Sequence, residues 1–327
     1  MEEWADSNSA TGWQFAHQPH PIPAPKRRRG HRAVVTIAVV GAVLAVTAGI
    51  AGVLQLVRPP RTSRSALLYS KQTVLPFVGL KDPTGVAVDA KGDVYVTDAG
   101  NRRVLKLAAG STGQTELPFT DLQNLTGLAV DDKGSVYVSY FTDGYPGVGK
   151  VVELAAGSHS QTALPFTNLA DPRAVAVDAG GNVYVADRGN QQVVELPAGS
   201  SGQTVLPFTG LEIPQGVAID AAGAVYVTDT QTFDNRVVKL TAGSTDQTVL
   251  PFTGLNRPYG VAVGRDGSVY VADANSRQVL KLPAGSDRQS ALPFSGLNSP
   301  EDVAVDAKGD VYVADAARSR VVELPAR

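Results

Sequence analysis

Leu-Pro-Phe recurs six times beyond residue 70, beginning at Leu75, Leu117, Leu164, Leu206, Leu250 and Leu292, at intervals of 42, 47, 42, 44 and 42 residues. A repeat of this length restricts the fold more than composition does, because one unit cannot bury its own apolar face and must stack on its neighbours. The unit idealises to LPFTGLxxPxGVAVDAxGxVYVxDxxNxRVxKLxAGSxxQTV. Four short Val-rich stretches stand out in it, GVAVD, VYVTD, RVLKL and QTVLPF, each alternating as a half-buried strand does and each bounded by turn residues. Four strands per unit predict a β-propeller.

Strand bookkeeping tests whether the ring closes. First strands are predicted six times, from Gly85–Asp89 to Asp302–Asp306, yet the last unit stops at RVVELPAR with no fourth strand. Lys71–Phe77, KQTVLPF, is a fourth strand that lacks its preceding three. It should complete the last blade, giving an all-β, six-bladed propeller over residues 70–327 with no open sheet edge at the junction.

The recurring GVAVDxxGxVYVxDxxNxRV, as in Gly85–Val104, resembles the NHL repeat. The LPFTGL and AGSxxQTVLPF portions are similar to the extracellular sensor domains of mycobacterial receptor serine/threonine kinases, six-bladed propellers outside a single membrane helix. The resemblance implies a sensor-like or adhesive ectodomain. It does not carry kinase activity over, since neither His-Arg-Asp nor Asp-Phe-Gly occurs in the chain.

Upstream, residues 33–57 run uncharged for 25 residues, long enough at about 1.5 Å per residue to cross a hydrocarbon core of roughly 30 Å. We expect one transmembrane helix there, a disordered cytoplasmic tail at 1–32 and a linker at 58–69. Lys26, Arg27, Arg28, Arg29 and Arg32 precede the apolar run, and Arg58, Arg61 and Arg64 follow it. This bias places the N-terminus in the cytoplasm and the propeller outside the cell membrane.

Several function classes drop out on residue chemistry. The chain has no cysteine, so thiol catalysis and thiolate metal sites are excluded. Of four histidines, His17, His20 and His31 precede the apolar run and His159 lies in a turn between third and fourth strands, which argues against an imidazole-based lactonase or lyase. Gly144, Gly149 and Lys150 have the spacing of a phosphate-binding loop, but Val151 follows where Ser or Thr is needed and a strand pattern follows where a helix is needed. Residues 70–327 carry 21 basic and 28 acidic groups, a poor match to nucleic acid.

Two carboxylate series recur, Asp89, Asp131, Asp178, Asp220 and Asp306 after first strands, and Asp98, Asp187, Asp229, Asp273 and Asp315 after second strands. Repetition points to turn-capping, with a calcium-dependent lactonase- or lyase-like enzyme as the alternative. No catalytic residue, metal or cofactor is assigned. The expected function is recognition of a protein, peptide, glycan or small envelope ligand on the membrane-distal face. That face carries the loops joining second to third strands and fourth strands to the next first strand. Candidate binding residues there are Tyr140, Phe141, Tyr145, Arg173, Arg188, Phe233, Arg257 and Tyr259, the aromatics expected to be exposed. One position, taken to precede the first strand, varies as Thr84, Thr126, Arg173, Gln215, Tyr259 and Glu301.

Overall fold

The computed structural model describes residues 69–143, 148–231 and 234–327. The expected tail, membrane helix and nearly all of the linker, with Tyr145 and Phe233, lie outside the described residues. No helix among the described residues is long and apolar enough to cross a membrane. The described strands form six four-stranded antiparallel sheets. Each blade starts with an inner strand: Pro83–Val88, Leu125–Val130, Pro172–Val177, Pro214–Ile219, Pro258–Val263 and Pro300–Val305. Successive first strands neighbour one another, and the first also neighbours the sixth, so the ring is closed.

Closure takes the predicted form. Thr73–Val74 pairs with Arg320–Leu324 as the outer strand of blade six, Thr73 opposite Glu323 and Val74 opposite Val322. Tyr69 bridges to Ala326, so the chain enters beside its own C-terminus, on the face where third and fourth strands are joined. The outer strands are shorter than the sequence pattern suggested, only two or three residues each. Proline explains this: Leu75 N–H still bonds to Val321 O at 3.0 Å, but Pro76 has no N–H to continue the ladder. The chain then bends as Phe77 N–H donates back to Leu75 O at 2.8 Å, a tight turn repeated after each Leu-Pro-Phe. The glutamine of each AGSxxQT clamps the residue after the preceding Leu-Pro-Phe, as where Val78 N–H donates to Gln114 Oε1 at 2.8 Å and Gln114 Nε2 to Val78 O at 3.0 Å. Gln72 does the same to Ser295 across the junction, so the periphery is stitched blade to blade.

Between blades the packing is apolar. Tyr95 and Val104 of blade one meet Leu128, Val136, Val138 and Val152 of blade two, and equivalent clusters fill the other gaps. Val96, Val138, Val185, Val227, Val271 and Val313, at the centre of the second strands, are fully buried, each contributing about 1.5–3 kcal/mol of hydrophobic stabilisation.

Lys150 falls opposite Tyr140, the register in which Arg103 opposes Asp98, and Gly149–Leu154 is a strand. Gly149 is glycine because a Cβ there would lie 2.6 Å from Pro172 Cδ and 2.7 Å from Leu169 Cβ. It is a packing residue of blade two, and no helix starts after it.

Candidate functional site

Both aspartate series belong to the frame. Asp98, Asp187, Asp229, Asp273 and Asp315 are completely buried at the ends of their second strands. Asp315 accepts from Asn298 N–H (2.8 Å), Ser299 N–H (3.1 Å) and Arg320 Nε (2.8 Å). Arg320 goes on to donate to Gly296 O at 2.7 Å, tying the incoming loop to the blade. Arg103 and Arg236 pair with Asp98 and Asp229 in the same way. In the other series Asp89 accepts Lys91 and Asp93 N–H and the Tyr95 hydroxyl, closing the first hairpin. Where Gly264 interrupts that series, Asp266 takes over by accepting from Ser268 N–H and Oγ. Among the described residues no three His, Asp or Glu side chains converge as metal ligands would.

The variable position behaves differently. Thr84, Thr126, Arg173, Gln215, Tyr259 and Glu301 do not precede the first strands; they lie within them, at the irregularity in register between the leading residue and the regular ladder. A bulge re-aims a side chain. Here all six line one cavity of about 260 Å³ bounded by the first strands, at the end where fourth-to-first loops arrive. We call this end the channel mouth.

Its two threonines are spent on the frame, Thr126 Oγ1 donating to Pro172 O at 2.6 Å and Thr84 Oγ1 meeting Thr97 Oγ1 at 3.1 Å. Asp171 sits between two guanidiniums, 3.1 Å from Arg173 Nε and 2.9 Å from Arg188 Nε. The Nε contact lacks hydrogen-bond geometry, but Arg173 Nη2 donates to Asp171 Oδ2 at 3.2 Å. Burial pulls the Arg173 guanidinium below its usual value, Asp171 opposes this and Arg188 adds to it. Arg257 stacks over the Tyr259 ring, 4.9 Å from its centre. Arg257 and Asp82 both hold left-handed backbone (φ 64° and 53°) immediately before proline, an arrangement ordinarily disfavoured for residues with a Cβ. Gln215 is 7% exposed and lines the cavity. Glu301 accepts the Ser299 hydroxyl at 2.9 Å through Oε1 alone. Its carboxyl is raised chiefly by burial and further by Asp82.

Asp302 completes the mouth and was missed in the sequence. Its column otherwise holds Gly85, Gly127, Ala174, Gly216 and Gly260, because neighbouring first strands approach closely there: a Cβ on Gly260 would fall 2.6 Å from the Asp302 Cα. One carboxylate in a column of small residues was the available signal. Asp302 accepts Val86 N–H of blade one and Val303 N–H of its own blade, each at 2.9 Å. Burial, despite these two amides, pushes its carboxyl up to about 7, with Glu301 adding to the rise.

The predicted site residues therefore divide. Arg173 and Tyr259 meet at the mouth, with Arg257 and Arg188 braced beside them. Tyr140 is a correction: expected exposed, it is 5% exposed and packs with Leu122 and Leu125. It occupies the register of Asp98 in the one blade that starts with leucine, where an apolar ring can fill the space of the aspartate network. Phe141 is half-buried, its backbone held by Asn124 at 3.1 Å. Tyr145 and Phe233 lie outside the described residues.

Residues 80–107, 169–196 and 297–324, three segments of the six-bladed propeller, match the NHL repeat. Over 98 residues the chain is 53% identical to serine/threonine-protein kinase PknD of Mycobacterium tuberculosis, a match covering 29% of this chain and 14% of the kinase. The chain thus corresponds to a small part of that relative. Solved structures share the architecture at lower identity. A gluconolactonase from Xanthomonas campestris is 16% identical with a TM-score of 0.64 over 79% of this chain and 89% of that one. A nidogen/laminin complex gives 20% and 0.60 over 68% and 85%. At these identities the likeness is one of fold.

Proposed function

We propose that this chain is a non-catalytic binding or sensor propeller, held outside the cell membrane by a single helix over residues 33–57, whose channel mouth recognises a protein, peptide, glycan or small envelope ligand. One observation carries the reading: on a frame that scarcely varies, the six bulge residues are of five different kinds and line a single cavity. Packing does not require such variation. A recognition surface does.

Similarity to a segment of the kinase PknD supports a sensor-like role, while the repeats themselves hold no phosphoryl-transfer motif. The enzyme alternative finds little support in the described residues. His159 is exposed in a turn between third and fourth strands, far in the repeat from the first strands that form the mouth. Tyr69 enters on the face opposite the mouth, so a tether there would point the mouth away from the membrane.

Two measurements test this. Protease added to intact cells should remove the propeller and spare the N-terminal tail; protection of the propeller would overturn the topology. The full-length chain should capture a ligand from envelope extract, and the triple variant Arg173→Gln, Tyr259→Ala, Glu301→Gln should lose it while keeping its melting temperature within a few degrees. Undiminished capture by that variant would move the site away from the mouth.

A further inference from the structure

The mouth is electrically two-sided. Counting round the ring, blade three stands diametrically opposite blade six. Blade three brings Arg173, with Arg188 behind it, and the two share the single carboxylate Asp171, which leaves one positive charge in excess. Blade six brings Glu301 and Asp302, with Asp82 leading into blade one beside them, and none of these three forms an ion pair among the described residues. Gln215 of blade four and Tyr259 of blade five close one side of the circuit between the poles, and the threonines of blades one and two close the other.

The polar groups follow the same axis. Arg173 keeps Asp171 as its one carboxylate, Glu301 accepts from Ser299 through Oε1, and Gln215 lines the cavity between them. Opposite charges on facing walls of one cavity favour an occupant that carries both complementary charges. A cation alone would be repelled by the excess positive charge of Arg173 and Arg188. An anion alone would be repelled by Glu301 and Asp302.

Resting on the reading of the mouth as a ligand site, we propose that it binds a small zwitterion, an amino compound whose carboxylate meets Arg173 and whose ammonium meets Glu301 and Asp302, with Gln215 and Tyr259 along its length. A guanidinium fork suits a carboxylate, and the cavity, about 260 Å³, holds a molecule of amino-acid to dipeptide size.

The test titrates the full-length chain, purified in detergent, with ω-amino carboxylic acids bearing two to six methylenes, beside propionate, propylamine and glucose, read by calorimetry. At least one amino acid should bind about tenfold or more tightly than either monofunctional probe, with an optimum chain length that reports the separation of the poles. Arg173→Gln and the near-isosteric Glu301→Gln should each erase that preference; if Arg173→Gln does not fold, Arg173→Lys should weaken it. Propionate binding as tightly as the amino acids, or glucose binding in preference to them, would overturn the zwitterion and leave the mouth as a ligand site. So would silence of every probe while envelope capture still depends on the mouth. Silence together with capture that ignores the mouth variants would bring down both readings.

Discussion

Two rings of side chains run round this propeller a few residues apart in each repeat, and they follow opposite rules. The ring at the ends of the second strands is aspartate in five blades of six, completely buried, and held by backbone amides, with an arginine in three of the blades. The ring at the bulges of the first strands is different in every blade except for its two threonines, lines a cavity, and carries opposite charges on facing blades. Constancy in a repeat accompanies a task every blade shares, here holding the incoming loop. Variation on a constant backbone accompanies a task that the ring performs once.

Breaking the frame should cost far more than altering the mouth. The largest effect is expected from deleting Lys71–Phe77, which strips blade six of its outer strand and of the Gln72 clamp; the product should lose its monomeric folded state, seen by light scattering and circular dichroism. Unchanged mass and melting would refute the closure. Next, Asp315→Ala leaves two amides and the Arg320 guanidinium without their acceptor inside the blade and should destabilise by about 3–5 kcal/mol in denaturant unfolding.

Asp302 bridges the two rules, since it sits at the mouth but is enclosed by the frame. Its folded carboxyl lies near 7 against about 3.9 when unfolded. A carboxyl raised on folding contributes fully below the unfolded value, and that contribution is lost as pH rises through the folded one. The stability of Asp302→Asn relative to the native chain should therefore grow by up to about 4 kcal/mol between pH 4 and pH 8, on top of a constant cost for one lost acceptor. A difference that stays flat with pH would mean that Asp302 is ionised without penalty.

A smaller effect sharpens the comparison from inside the frame. Asp273 is the frame aspartate whose third-strand neighbour, Gln278, lies 3.5 Å away, and burial raises its carboxyl. Gln278→Arg would supply the cation present in blades one, four and six, with the Gly254 carbonyl in the place where Gly296 O accepts from Arg320. It should stabilise by about 1–2 kcal/mol in denaturant unfolding. Smallest of all, Arg257→Asn at the mouth removes a stacked cation but suits left-handed backbone, and should change stability by less than about 0.5 kcal/mol. If mouth variants cost as much as Asp315→Ala, the distinction between the rings fails.

Much of this was legible because it is local. Alternating valines, the Leu-Pro-Phe bend and the orphan strand at Lys71–Phe77 are constraints within a few residues, and their recurrence gives blade number and closure without coordinates. Tyr140 shows the limit: its neighbourhood reads as an aromatic insertion, but the leucine that opens blade two pairs across to it and draws it into the core. The varying column was visible in the sequence, yet its position within the bulge, and hence its aim into the channel, required the register of the folded sheet.

What the sequence determined by itself is the unit and the way its ends join, since each strand needs only the pattern within its own repeat and the junction needs only a count. Tertiary structure alone decided the mouth. Arg173 and Glu301 become opposite poles, and Asp302 reaches Val86 across 216 residues, only when six first strands are brought edge to edge. Burial and electrostatic proximity depend on what lies across a gap, and no repeat carries within itself the blade that will face it.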